Sequence, residues 1–296
     1  MIRKKSLEEM NLLDKFLFDE AIEDPEFFEI LLTIILGRDI VLEDPPQVEK
    51  EFRISVQKRK VQIDVWGKDL EGTIYDVEPQ QRNLRNLPRR SRLYHALITS
   101  NLLPPGSIDY NLLSDVIMII IAPFDPFGKD QYMYTFRMTC EEFPEMLLDD
   151  GMTTIFLNTR GTDANGISTE LIDLLHYFEN TTDEIASRSG SLRIHTLQRK
   201  VQQIRHNEQI GVKLMNTWEE HIMIREDGIS EGHAKGLSEG HAKGLVDGHR
   251  DAIRNLMKNM GLTASQAMDA IGIPQSEQHL YADLSDETEN RPLSCY

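Results

Sequence analysis

The chain has 296 residues, 40% of them hydrophobic, and a formal net charge of −17. That length holds one large or two modest domains, and the acidic balance argues against indiscriminate nucleic-acid binding while leaving room for a local basic surface. Two distant cysteines, Cys140 and Cys295, give neither a disulfide framework nor zinc spacing, as expected in a reducing cytoplasm. The longest apolar run, residues 116–124, is too short to span a bilayer. The basic start, Met1 to Lys5, runs into acids rather than an apolar stretch, so no signal peptide is expected.

In chain order, residues 6–37 read as two helices. Leu12, Leu13, Phe16 and Phe18 are the apolar positions of the first, and Phe27, Phe28, Ile30, Leu31, Ile34 and Ile35 those of the second. Pro25 is placed to open the second helix and Gly37 to close it. Residues 51–80 predict three strands, the first of them Phe52-Arg53-Ile54-Ser55-Val56. Residues 88–102 predict a helix with Leu93, Ala96, Leu97 and Leu102 inward, stopped by Leu103-Pro104-Pro105-Gly106. A β-branched run from Val116 predicts a buried central strand. A loop at Asp125-Pro126-Phe127-Gly128 follows, then strands over 132–138 and 154–158.

From Ser168 the pattern turns helical, with Leu171, Ile172, Leu174, Leu175 and Phe178 at a 3.6 period and a long charged helix over 191–225. Residues 228–251 are three copies of an eight-residue unit, Gly-Ile-Ser-Glu-Gly-His-Ala-Lys in its first form. Its histidines, His233, His241 and His249, do not make a metal row, because eight residues advance a helix by about 800°, or about 80° past two turns. Glycine costs a helix up to about 1 kcal/mol relative to alanine. The segment is therefore expected to be a flexible or self-associating spacer, its small residues suiting close helix contact. Residues 252–281 predict a small helical pair with Thr263 as an N-cap. The stretch from Leu262 to Pro274 resembles half of a helix-turn-helix, but the helix expected from Pro274 carries Glu277 and no arginine, so DNA reading by it is not expected.

The chemistry lies in the middle strands. Ile63-Asp64-Val65-Trp66 and Tyr75-Asp76-Val77-Glu78-Pro79-Gln80 read as a hairpin turning between Gly67 and Gly72. Alternation puts Ile74, Asp76, Glu78 and Gln80 on one face. With the turn near residue 70, Asp64 falls opposite Asp76 and diagonal to Glu78; such neighbours are about 7–8 Å apart, within reach of one shared cation. Carboxylates on an apolar hairpin are costly to bury unless a cation or donor satisfies them. Between Gln81 and Ile108 there is no acid, and Arg82, Arg85, Arg89, Arg90 and Arg92 fall in that stretch.

Asp64 followed by Glu78-Pro79-Gln80 resembles the signature of the PD-(D/E)XK nuclease superfamily, an Asp on one strand and Glu-x-Lys or Glu-x-Gln on the next. The likeness is to the branch called recombination-promoting nucleases, or PD-(D/E)XK family transposases. Residues 24–28, 87–92, 125–128, 134–136 and 155–159 share in it, so that it spans about residues 10–225.

The resemblance implies an α/β fold with a PD-(D/E)XK restriction-endonuclease-like core, a central mixed sheet flanked by helices, and a helical C-terminal extension. The expected division is a nuclease-like domain over 1–180, a helical extension over 181–227, the glycine repeat over 228–251 and a C-terminal helical segment and tail over 252–296. It implies a divalent-metal-dependent DNA endonuclease that hydrolyses phosphodiester bonds. Asp64, Glu78 and the carbonyl of Pro79 would hold Mg²⁺ or another divalent cation, a hard ion that favours oxygen ligands. Gln80 would complete the catalytic set with Asp64 and Glu78, but glutamine replaces the commoner lysine and only orients by hydrogen bonds, which implies weaker activity. Arg82, Arg85, Arg89, Arg90 and Arg92 would hold DNA phosphates. Asp76 is expected behind the metal or on the surface, and Glu20 and Glu23 are equal candidates for the acid that the superfamily often carries on its first helix. Two alternatives stand beside this: a degenerate nuclease fold that binds DNA or protein as an accessory in recombination or defence, and an RNA-directed nuclease. Apolar positions Val201, Ile204, Ile210, Leu214 and Trp218, with the glycine face, predict a homo-oligomer through the C-terminal helices. No membrane partner is expected.

Overall fold

The computed structural model describes residues 5–52, 61–103, 106, 109–281 and 283–284; for 49–52 and 61–65 it describes the backbone alone. Most of the strand expected at residues 52–56 lies outside the described residues. The chain divides into two compact units, Met1–Asn216 and Thr217–Tyr296. Among the described residues no helix is long and apolar enough to cross a membrane.

The first unit is built on a mixed six-stranded sheet in the order β1-β2-β3-β4-β6-β5. Its strands are β1 (Gln47–Phe52), β2 (Val61–Lys68), β3 (Ile74–Pro79), β4 (Val116–Ala122), β5 (Met133–Phe136) and β6 (Met152–Asn158). β1, β2 and β3 form an antiparallel meander, β3, β4 and β6 run parallel, and β5 closes the edge antiparallel to β6. The parallel β3–β4 pair requires a crossover, which α3 (Leu87–Thr99) supplies. That helix covers one face, where Leu87, Leu97 and Ile98 pack with Ile74, Met118, Ile120 and Phe156. The other face, with Tyr75, Val77, Ile119, Ile121, Ile155 and Leu157, is covered by α1 (Lys15–Ile22), α2 (Pro25–Leu36), α4 (Thr169–Glu179), α5 (Asp183–Arg188) and α6 (Leu192–Arg205). β4 contributes to both cores, which explains its unbroken apolar run.

The helix boundaries follow the expected chemistry. Asp24 caps α2 by accepting from the N–H groups of Glu26 and Phe27, Pro25 opens the helix, and Gly37 ends it at φ 68°. The inward face of α3 differs from expectation. Leu93 is 44% exposed and Ala96 is exposed, whereas Leu87, Ser91 and His95 are buried. Leu87, Ser91, His95 and Ile98 form the three-to-four-residue row that a helix turns toward a sheet.

The single helix expected over 191–225 is two helices, α6 and α7 (Glu208–Met260). Asn207 interrupts them: its side chain accepts from the Gln209 N–H at 2.9 Å and its carbonyl from the Gly211 N–H at 3.1 Å, which starts a new helix. Val201 and Leu214 are buried within this chain, so neither position needs a second molecule. In the second unit the glycine repeat is helix throughout, not a flexible spacer. Helix propagation costs far less than nucleation, and helical turns flank the repeat on both sides. Around each of Gly228, Gly232, Gly236, Gly240, Gly244 and Gly248 an added Cβ would meet nothing within 4 Å among the described residues. Thr263 and Gln266 form a capping box at the start of α8 (Ala264–Ala270). The helix expected from Pro274 is instead a turn followed by a 3₁₀ segment, Gln278–Tyr281. Ile253, Ala267, Met268, Ile273, Tyr281 and Leu284 form this unit's core.

The C-terminal end of β4 leads into the Asp125-Pro126-Phe127-Gly128 loop. The Asp125 carboxylate accepts from the N–H groups of Phe127, Lys129 and Asp130 and from the Tyr134 hydroxyl, at 2.7–2.8 Å. Phe127 meanwhile packs edge-on against Tyr134 and Phe156. Partial burial opposes ionisation of Asp125, but these donors outweigh it and hold the carboxyl at about 2, below its ordinary 3.8. A depressed carboxyl pKa adds stability that is present above the unfolded value and lost as pH falls through the folded one. Asp125→Asn should therefore lower the melting temperature at pH 6, by the equivalent of about 1.5 kcal/mol for lost bonds to an ionised group. The gap between the two proteins should close between pH 3.8 and about 2, and a gap unchanged across that window in thermal melts would contradict this account.

Candidate metal and nucleic-acid site

The site grows from one hairpin and one crossover helix. The β2–β3 turn lies one residue later than the sequence suggests, between Lys68 and Ile74. Asp69 accepts from the N–H groups of Glu71 and Thr73 and from the Tyr75 hydroxyl, and Gly72 takes φ 90°. The resulting register sets Trp66 opposite Asp76 and Lys68 opposite Ile74. This corrects the expected pairing of Asp64 with Asp76. The Asp64 side chain itself lies outside the described residues.

Strand alternation sends Tyr75 and Val77 into one core and Ile74 into the other, so Asp76 and Glu78 point to the α3 face with Ile74. Asp76 is 0% and Glu78 1% exposed, which excludes Asp76 as a surface acid. Ionised carboxylates at that depth need compensating charge. For Glu78 it comes from α3. Arg90 Nη2 donates to Glu78 Oε2 at 2.5 Å, and Nη1 donates to Gln80 Oε1 at 2.6 Å. Its Nε donates to the Tyr94 hydroxyl at 3.0 Å, while the guanidinium lies 5.0 Å from the centre of the Tyr94 ring. The Gln80 amide nitrogen donates to the Arg82 carbonyl at 2.8 Å, which fixes the carboxamide with its oxygen toward Arg90. Oxygens from Glu78 and Gln80 thus converge on one cationic group.

The other arginines behave differently. Arg82, Arg85, Arg89 and Arg92 are exposed, and among the described residues none of the four makes a salt bridge. They follow the C-terminal end of β3 in the loop and the first turns of α3, so a positive surface adjoins buried acids. Arg85 adopts φ 54°, and its N–H donates to the Asn83 side chain. His95, one residue past Tyr94, is a packed residue. Its Nε2 lies 2.9 Å from Thr154 Oγ1, and burial pushes its pKa down, so it stays neutral.

Glu20 and Glu23 stand apart from this face. Both lie on the α1 side of the sheet or just past that helix, and both meet Lys213, at 2.5 and 3.6 Å. Among the described residues no group of three or more His, Cys, Asp or Glu is arranged to hold a metal. Sequence reasoning placed Arg90 with the phosphate-facing arginines and missed its pairing with Glu78. The available signal was spacing: Arg90 lies three residues after Leu87 and four before Tyr94, on the inward side of α3.

No curated protein and no solved structure matches the chain. Its sheet, flanking helices and β3 acids accord with a match to the PD-(D/E)XK nuclease family transposases over residues 45–208, more than half its length, and the chain belongs to that family.

Proposed function

We propose that the protein is a divalent-metal-dependent DNA endonuclease of recombination, hydrolysing phosphodiester bonds at the end of β3. The observation that carries this reading is the buried Glu78, set beside the exposed arginines of the following loop and helix. The donor set fits a hard divalent cation such as Mg²⁺: oxygens of Glu78 and Gln80 already converge on positive charge. Asp64, Glu78 and the Pro79 carbonyl would hold the ion. Such an ion, when bound, lowers the pKa of water and offsets charge on a scissile phosphate. Gln80, neutral and oriented by the Arg82 carbonyl, would position the water or a phosphate oxygen by hydrogen bonds. Arg82, Arg85, Arg89 and Arg92 would take the phosphate backbone, an interaction driven by counterion release.

The pairing of Glu78 with Arg90 also supports a second reading, a nuclease fold that binds DNA or a partner without cutting, since a guanidinium already satisfies the acid. Supercoiled plasmid separates the two. With Mg²⁺ the protein should nick it, and Asp64→Ala or Glu78→Ala should each cut nicking by about a hundredfold or more, the scale for losing a group that stabilises transition-state charge. Variants that nick as well as the parent would remove these residues from the site. A folded parent that binds but never nicks would establish the accessory role.

Binding has its own test. Arg89→Ala combined with Arg92→Ala should flatten the salt dependence of DNA affinity by about two units of slope, one for each lost phosphate contact. An unchanged slope would assign both arginines to the structure alone.

We also propose that the α7 glycine face meets a second copy of the chain. Six glycines four residues apart drift only about 40° per step along the helix and leave room for close approach, while Ile229, Leu237 and Leu245, all more than half exposed, wind around α7 and add apolar surface along it. Light scattering should give at least twice the 34.1 kDa chain mass. Leu237→Glu with Leu245→Glu should return it to a single chain; a parent already monomeric at micromolar concentration would end this proposal.

A further inference from the structure

Arg90 has a place in the fold that the other arginines of its segment lack. It is half-buried, whereas Arg89 and Arg92 on the same helix are exposed. Three of its donors are committed in three directions, to Glu78, Gln80 and Tyr94. The two oxygens it grips come from the residues flanking Pro79, so both belong to the set that would hold or adjoin a divalent ion under the proposed function. A divalent cation seated on Glu78 and Gln80 would bring a second positive charge against the guanidinium that already holds an oxygen of each. The two cations repel, so each binds at the other's expense.

We infer that Arg90 is a positioning residue that serves as a built-in counter-cation, holding Glu78 and Gln80 in place until a divalent ion displaces it. This rests on the nuclease reading of the site. The physical need comes first. Glu78 is only 1% exposed and Asp76 is fully buried two residues before it on the same face. Two such acids repel one another, and each is costly to keep out of water without a compensating partner. A guanidinium bonded to Glu78 offsets both effects while the ion is away. Tyr94 supplies the alternative resting place. Its hydroxyl and ring lie against the Nε side of the guanidinium, so the rigid planar group can swing off Glu78 about the side-chain torsions and still rest beside Tyr94 rather than in solvent. Arginine suits the task better than lysine, because its planar fork bonds two oxygens and stacks on a ring at once.

The consequence is a trade between stability and ion affinity. Removing Arg90 should destabilise the ion-free protein and tighten its hold on the ion. Mn²⁺ is a suitable probe because its free concentration is read directly by electron paramagnetic resonance, with no DNA and no turnover. For Arg90→Ala we expect a dissociation constant for Mn²⁺ at least about tenfold lower than the parent's, a change of about 1.4 kcal/mol. We expect a lower melting temperature without Mn²⁺, and a gap to the parent that closes at saturating Mn²⁺. Arg90→Lys keeps the charge but loses the fork, and should fall between the two in both measurements. Arg89→Ala removes the same charge from the same helix without touching Glu78, and should leave Mn²⁺ affinity within about twofold of the parent, because an exposed charge is largely screened.

Equal or weaker Mn²⁺ binding by Arg90→Ala, with Glu78→Ala abolishing binding, would overturn the counter-cation role and leave the metal site standing. An Arg89→Ala protein that gains as much affinity as Arg90→Ala would likewise overturn it, by showing a through-space effect of charge alone. Absence of Mn²⁺ binding from parent and variants together would overturn both this inference and the metal-dependent reading beneath it. Should Arg90→Ala fail to fold without the ion, refolding it in Mn²⁺ is the deciding measurement: recovery of the parent's circular dichroism supports the role, and failure to recover overturns it.

Discussion

A carboxylate removed from water needs positive charge within reach, and in this protein that requirement ties one strand to one helix. Glu78 is carried to the buried α3 face by strand alternation, and Arg90 is carried to the same place by the turn of α3. Neither residue is stable there without a cationic or anionic partner. A buried ion pair of this kind is weak evidence for net stability, because desolvating both charges offsets most of their attraction, yet removing one partner alone is strongly unfavourable. The pair is better understood as a constraint on geometry. It fixes how α3 sits over β3, and through Gln80 and the Arg82 carbonyl it fixes the path of the chain leaving the sheet.

The rest of the first unit supports that end of the sheet. β3, β4 and β6 run parallel, so their C-terminal ends lie together. This is where open α/β sheets generally place their chemistry. The motif segments of the sequence gather there for different reasons. Glu78 and Gln80 carry functional groups. Asp125 organises a loop by accepting from three backbone N–H groups and a tyrosine hydroxyl. Asn158 and Thr159 are buried braces: the Asn158 side chain donates to the Gln131 carbonyl, and the Thr159 hydroxyl donates to Glu179, which Arg160 also holds. A segment can therefore belong to a family's pattern because it shapes the scaffold around a site rather than because it touches substrate.

The second unit follows a different logic. Its glycines take ordinary helical geometry, and nothing among the described residues presses on them. Intrinsic propensity alone disfavours helix at these positions, and flanking alanine, leucine, lysine and glutamate, with Lys235 and Glu239 one turn apart, favour it. The balance falls to helix because each added residue extends turns already formed. The recurring histidines do not gather on that helix; His249 turns to the Tyr281 hydroxyl at 3.0 Å, within the small C-terminal core.

The sequence alone determined most strand positions, the capping of α2 and α8, and the acid-bearing face of β3, because these depend on side-chain period and on residues a few positions apart; the α/β class came from its resemblance to the family. The sequence also determined that an acid-free arginine segment follows Gln80. Three features were decided only by the tertiary structure. The hairpin register moved by one residue on each strand because the Asp69 carboxylate and Gly72 close the turn one residue later, a matter of hydrogen-bond closure rather than pattern. The separation of Glu20 and Glu23 from the β3 acids depended on which side of the sheet α1 packs, and on Lys213 from a helix nearly two hundred residues away in sequence. The distinction between Arg90 and its neighbours came from burial. Five arginines with the same charge differ in where the loop and the turns of α3 place them, and only the folded sheet beneath supplies the carboxylate that pairs with one of them and leaves the others to solvent.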